Sequence, residues 1–176
     1  MAGKGTQDAR YADAAATFGA ALQRLARGYE ADAERRRDLL QDIHVALWRS
    51  FASFEGQCSV RTWVYRVAHN TGATHALRRR RHDVFTAKSL EELAAAPASD
   101  NPEQEAGERH ALARLLRLIH QLKPPDAEMM LLYLEDIDAA GIGDITGLSP
   151  AAVATRIHRI KAVLARQFSE GARHDG

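Results

Sequence analysis

The sequence predicts an all-α protein made of two small helical domains joined by an acidic linker. Three observations carry this. Apolar residues recur at helical spacing over most of the chain, and no run of alternating residues argues for a strand. A Pro-, Ala- and acid-rich stretch, "AAAPASDNPEQEAGE", interrupts the pattern without an apolar face of its own. At 176 residues, 45% of them hydrophobic, the chain can bury one or two modest cores.

Tyr11, Phe18, Leu22, Leu25 and Tyr29 line one face of a first helix, and Leu40, Ile43, Leu47 and Phe51 one side of a second, from about Arg36 to Phe51. "SFEGQCS" breaks the pattern. Ser59 then suits the N-cap of a long helix with Val60, Val64, Val67 and Thr71 facing inward. Residues 1–83 form the first predicted domain, 84–108 the linker and 109–176 the second domain. In the second domain Leu112, Leu115, Leu116, Ile119 and Leu122 restore the helical period. Pro124 and Pro125 punctuate, and Met129, Met130, Leu132 and Tyr133 pack the next helix.

Several function classes are excluded. Cys58 stands alone, so neither an internal disulfide nor a cysteine zinc site is expected. No apolar run approaches the roughly 18 residues of a membrane span, and the N-terminus lacks the apolar stretch of a signal peptide. A cytoplasmic, non-inserted protein is the expectation. His69, His75 and His82 miss the i, i+4 spacing of paired metal ligands and have no accompanying carboxylate, so they are read as surface or loop residues. With no Gly-rich phosphate loop and no base beside Cys58, the chain is expected to hold no metal or cofactor, to act on no small-molecule substrate and to catalyse nothing.

Charge is segregated although its formal sum is only +1. Residues 59–82 hold Arg61, Arg66 and Arg78 to Arg81 with no acid; residues 83–108 hold seven acids against Lys88; residues 149–168 hold Arg156, Arg159, Lys161 and Arg166 with no acid. A polyanion responds to such local fields rather than to the total. In the first basic segment Trp63, Tyr65, His69 and Asn70 accompany the arginines. Rings can stack on unpaired bases while cations follow the strand, and the Asn amide can read a base edge. Core packing of Trp63 beside the Val60, Val64, Val67 stripe is the competing reading. The second basic segment has the layout of a helix-turn-helix. Ile142 and Ile145 face inward, Gly147 suits the turn, Leu148 plugs it, Ser149 caps and Pro150 opens the second helix. Val153, Ile157, Ile160 and Leu164 then face the core, which leaves Thr155, His158 and Arg159 for base edges, with Arg156, Lys161 and Arg166 at the rim.

"DLLQDIHVALWRSFASFEGQCSVRTWVYRVAHNTGATHALRRRRH", followed after the linker by "GLSPAAVATRIHRIKAVLAR", resembles the extracytoplasmic-function sigma factors, two-region members of the sigma-70 family. The resemblance implies a transcription initiation factor that binds core RNA polymerase, through the β′ clamp helices and the β subunit, and directs it to promoter DNA. It implies core contacts at Asp38, Gln41 and Asp42. It implies contact with the −10 element at Phe54, Gly56, Gln57, Cys58, Ser59, Trp63, Asn70 and Arg78, Arg79, Arg80 and Arg81. Contact with the −35 element falls to Thr155, Arg156, His158 and Arg159. An anti-sigma factor is an implied partner. Arg35, Arg36 and Arg37 stand where the family commonly has acids. The linker acids are expected to mimic nucleic acid. The rival reading is a stand-alone helix-turn-helix regulator that binds duplex DNA without polymerase; it accounts for residues 138–168 and leaves the first basic segment unexplained.

Overall fold

The computed structural model describes residues 2–82, 88–96 and 108–173, and within them every regular element is a helix apart from one isolated bridge. The all-α expectation is borne out. Helices α1 (Ala2–Tyr29), α2 (Ala33–Ser50) and α3 (Val60–His82) pack on one another; α4 (Leu90–Ala95) is a short helix inside the predicted linker; α5 (Glu108–Gln121), α6 (Pro124–Leu134), α7 (Ala139–Thr146) and α8 (Pro150–Arg173) form the second group.

Sequence dictates where these helices start. Asp32 caps α2 by accepting from the Glu34 and Arg35 amides, so the helix begins three residues before the apolar pattern suggests. Ser59 accepts from the Thr62 amide at the head of α3, as its position predicts. Ser89 and Glu92 close a reciprocal capping box on α4. That helix is pinned at its start by a bridge, in which the Lys88 amide donates to the Gln121 carbonyl and the Lys123 amide to that of Lys88. The other acidic-linker residues, 83–87 and 97–107, lie outside the described residues.

In the first group Leu22, Leu25, Leu39, Ile43, Leu47, Phe51 and Val64 are fully shielded; in the second Ile119, Leu122, Met129, Leu132, Ile142, Val153 and Ile160 are. Burial of each such side chain contributes on the order of 1.5–3 kcal/mol, which is what makes the helical periodicity decisive. The expected inward set is not met in full. Val60, Leu112 and Leu148 are exposed, because each lies in the first turns of a helix or in a turn, beyond the reach of the neighbouring helix.

The two groups also pack against each other. Arg24 of α1 donates through Nε and Nη2 to both carboxylate oxygens of Glu135 at 2.8 and 2.7 Å. Tyr65 Oη, on α3, donates to the same carboxylate at 3.2 Å. Arg61 donates to the carbonyls of Glu135 and Asp136, and Arg66 to that of Asp144. His120 Nε2 meets the Gly28 carbonyl at 2.6 Å. His69 corrects the surface reading of the histidines, since it is only 6% exposed. Its Nδ1 lies 2.8 Å from Tyr29 Oη and its Nε2 3.8 Å from a Glu128 carboxylate oxygen. Sequence spacing could not reveal this, because the covering surface comes from α6.

Burial pushes the His69 imidazole down to about 4 from its ordinary 6.5, and burial lowers His120 as well. Both groups are held neutral in the folded state, so the stability they contribute is full above pH 6.5 and is lost as pH falls toward 4. His69 alone corresponds to about 2 kcal/mol between pH 7 and pH 5. Urea unfolding should show this loss, and His69→Gln should remove most of it; an unchanged pH slope in that variant would refute the assignment.

Candidate nucleic-acid interface

On α2 the buried positions Leu39, Ile43 and Leu47 set the helix phase, which turns Asp38, Gln41 and Asp42 outward. Val45 continues that exposed strip. The strip is an uncovered polar face with an apolar residue in it, suited to a partner helix. The arginines before it are partly occupied with their own chain. Arg35 lies 3.6 Å from Glu30, Arg36 donates to the Ala31 carbonyl, and Arg37 lies 3.8 Å from Glu34.

Glu30 is fully buried at the C-terminal end of α1. His75 Nε2 lies 3.1 Å and Arg79 Nη1 3.5 Å from its carboxylate, which also accepts from the Asp32 amide. Burial raises its pKa, but the Asp32 amide, His75 and the arginines outweigh that and hold it below the usual carboxylate range. Arg79 is therefore anchored, whereas Arg78 is exposed; the side chains of Arg80 and Arg81, at the end of α3, lie outside the described ones.

The loop between α2 and α3 is built around Phe54. Its ring packs 5.9 Å from Phe51 and 5.1 Å from Trp63, centroid to centroid. Trp63 is half-buried and donates from Nε1 to Ser50 Oγ at 2.9 Å, so the core-packing reading holds for part of its ring. Gly56 has φ +82, where an L side chain is strained. Gln57 folds over the loop, accepting from the Glu55 amide and donating to the Ser53 carbonyl. Cys58 is half-buried and Ser59 exposed. Asn70 is exposed on α3. Tyr65 points elsewhere: it is 3% exposed and committed to Glu135, so it offers no face for stacking.

In α7–α8 the turn geometry follows the sequence. Gly147 has φ +80 and its amide donates to the Gly143 carbonyl. Ser149 Oγ accepts from the Ala152 amide. Val153, Ile157, Ile160 and Leu164 are buried, which leaves Thr155, Arg156, His158 and Arg159 exposed. Arg156 is engaged in a two-pronged pair with buried Asp126, which with burial opposing it raises the guanidinium pKa. Arg159 donates to Glu91 of α4 at 3.1 Å, Arg166 to the Ala94 carbonyl, and Gln167 to the Ala96 carbonyl at 2.9 Å. The linker helix thus lies on the basic flank of α8, a contact no sequence pattern announces.

Comparison with known proteins fits this layout. The family description sigma-70 region 2 matches residues 15–82, and sigma-70 region 4 matches residues 112–164. RNA polymerase sigma factor CnrH of Cupriavidus metallidurans is 31% identical over 170 residues, spanning 93% of this chain and 88% of its own. Sigma factor YlaC of Bacillus subtilis is 29% identical over 138 residues, spanning 78% and 79%. The solved structure of CnrH in complex with the cytosolic domain of CnrY covers 96% of this chain and 98% of its own with a TM-score of 0.66 at 20% identity. That of RpoE with the anti-sigma factor NepR from Bartonella quintana covers 90% and 96%, with a TM-score of 0.68 at 16% identity. The chain belongs to the sigma-70 family of RNA polymerase sigma factors. Within that family it is of the extracytoplasmic-function kind, which binds core RNA polymerase and directs it to promoters. The stand-alone regulator reading gives way, because α1–α3 are now accounted for.

Two substitutions check this geometry. A Cβ on Gly143 would meet the Leu148 carbonyl oxygen at 2.6 Å. Gly143→Ala gains up to about 1 kcal/mol of helix propensity but forces a backbone shift costing about 1–3 kcal/mol. Net destabilisation is expected in thermal melts. Glu91→Ala, at an exposed pair, should leave the thermal midpoint near that of the wild type.

Proposed function

We propose that the two ends of the chain divide promoter recognition, and that α2 carries the polymerase contact. The observation that carries this reading is the exposed strip Asp38, Gln41, Asp42 on α2, the helix that runs directly into the Phe54–Ser59 loop. Asp38, Gln41 and Asp42 dock on the β′ clamp helices, and the β subunit receives the second group. Gly56, Gln57, Cys58 and Ser59 line the capture site for a base of the −10 element, and Phe54 acts as the anchor of that loop rather than as a stacking face. Trp63 supplies the ring edge that remains open, Asn70 a base-edge amide, and Arg78, Arg80 and Arg81 the cations for the upstream backbone, while Arg79 chiefly holds Glu30. Thr155, His158 and Arg159 read the −35 element in the major groove, while Arg156 chiefly holds Asp126.

On this reading α4 must leave α8 before Arg159 and Arg166 can meet phosphates, so the linker acids stand in for nucleic acid on the chain's own helix. Glu91→Ala should then tighten binding of the free protein to a duplex; unchanged affinity removes that role. The chain supplies no catalytic group, works in the cytoplasm, and is held inactive by an anti-sigma factor, as the partners in the two similar solved complexes suggest. Neither a metal-ligand cluster nor a helix long and apolar enough to cross a membrane occurs among the described residues.

Gel filtration with bacterial core polymerase tests the core contact. The wild type should co-elute and Asp42→Arg should not. Co-elution of both would move the contact away from α2.

A further inference from the structure

The first turns of α1 hold the C-terminal half of α2 and, through Arg10, the loop that follows it. Gln7 Nε2 donates to the Trp48 carbonyl at 2.8 Å. Trp48 Nε1 donates to Asp8 Oδ1 at 2.8 Å. Arg10 Nη1 donates to the Phe54 carbonyl at 2.8 Å, and its guanidinium carbon lies 5.8 Å from the Phe54 ring centroid. Tyr11 Oη lies 3.0 Å from His44 Nδ1. All four side chains precede residue 15, where the match to sigma-70 region 2 begins.

Gln57 bonds the Glu55 amide and the Ser53 carbonyl across the loop, but neither bond holds the Phe54 carbonyl. Residues 51–59 contain no helix or strand, and the turn amides of Ala52 and Ser53 bond only to the end of α2. Phe54 is the buried residue at its centre, and a buried ring alone fixes position better than rotation of the adjoining peptide. The Phe54 carbonyl is a main-chain acceptor outside any helical ladder, and such groups need a partner. Arg10 provides it from another helix, 44 positions away. A charged donor on a carbonyl is directional and stronger than a neutral one. The peptide that follows leads straight into Glu55, Gly56 and Gln57.

We infer that Arg10, supported by Gln7, Asp8 and Tyr11, is a positioning residue for the base-capturing loop: it sets the orientation of the Phe54 peptide and thereby the course of the Gly56–Ser59 segment. This rests on the proposed −10 role of that loop. Arg10 itself touches no base. Its effect belongs to the strand-opening step, whereas the α2 strip and α8 act independently of it.

The test uses the full-length chain with core polymerase, on a duplex recovered by the wild-type holoenzyme from a randomised pool. Strand opening is read by permanganate reactivity of unpaired thymines, duplex retention by gel shift, and core binding by co-elution. Arg10→Ala should reduce opening by roughly five- to thirtyfold, the factor that about 1–2 kcal/mol represents. Core co-elution, duplex retention and the thermal midpoint should stay near wild type. Arg10→Lys, which keeps a cationic donor, should restore most of the opening. Normal opening by Arg10→Ala, or loss of core binding in parallel with opening, overturns the inference. Gln57→Ala separates the two claims. If it impairs opening while Arg10→Ala does not, the loop reading stands and the brace fails; if both open normally, the loop reading fails and takes the brace with it.

Discussion

The carboxylate of Glu135 is the joint on which the arrangement of the two helical groups depends. It is buried, yet it accepts from Arg24 on α1 and Tyr65 on α3, so the turn after α6 is tied to two helices of the other group at once. A buried carboxylate without such donors would cost several kcal/mol in desolvation. The pairing is therefore conditional: Glu135 can be buried only while both helices are in place. Arg24 remains more than half exposed, which weakens its Coulombic share. Direction rather than strength is what the pair supplies. Tyr65 pays a visible electrostatic cost for its place, since burial and then the carboxylate push its phenol up to about 12.

Around that joint the packing is close but polar. Gly28 admits Leu131, Gly72 admits the Tyr29 ring, and His69 and His120 are kept neutral between the groups. An interface with neutral imidazoles, backbone carbonyls and the carboxylates of Glu135 and Glu128 is well suited to reversible closure. A wholly apolar seam of the same size would not separate readily for a protein that must present both groups to polymerase and DNA.

Much of this was legible in the sequence, and the remainder has a common cause. The faces of α1, α2, α5 and α8, the Ser59 cap and the Gly147 turn all follow from local spacing and backbone chemistry, which a single helix expresses by itself. The burial of Tyr65 and His69, the commitment of Arg156 to Asp126 and the anchoring role of Phe54 do not. Each depends on a surface contributed from far along the chain. The two internal glycines of α7 illustrate the same divide. As helix residues they look unfavourable, and only the approach of the Leu148 carbonyl to Gly143 explains why that residue lacks a side chain. For the candidate site, type and order of residues were readable, but which cations are free was not.

That last distinction bears on how the closed form gives way. Arg156 is held by buried Asp126, and Arg79 by buried Glu30, a carboxylate that His75, Arg35 and the Asp32 amide also serve. Arg159 is different, because both it and Glu91 are largely exposed and solvent screens their pairing. A phosphate backbone offers a denser array of negative charge than one linker carboxylate, and counterion release favours it further. Helix α4 is short, and its cap, the Lys88 bridge and the buried Leu90 and Leu93 side chains together hold it. Among the cations of α8, then, the exposed Arg159 pair is held most weakly and Arg156, on a buried carboxylate, most firmly.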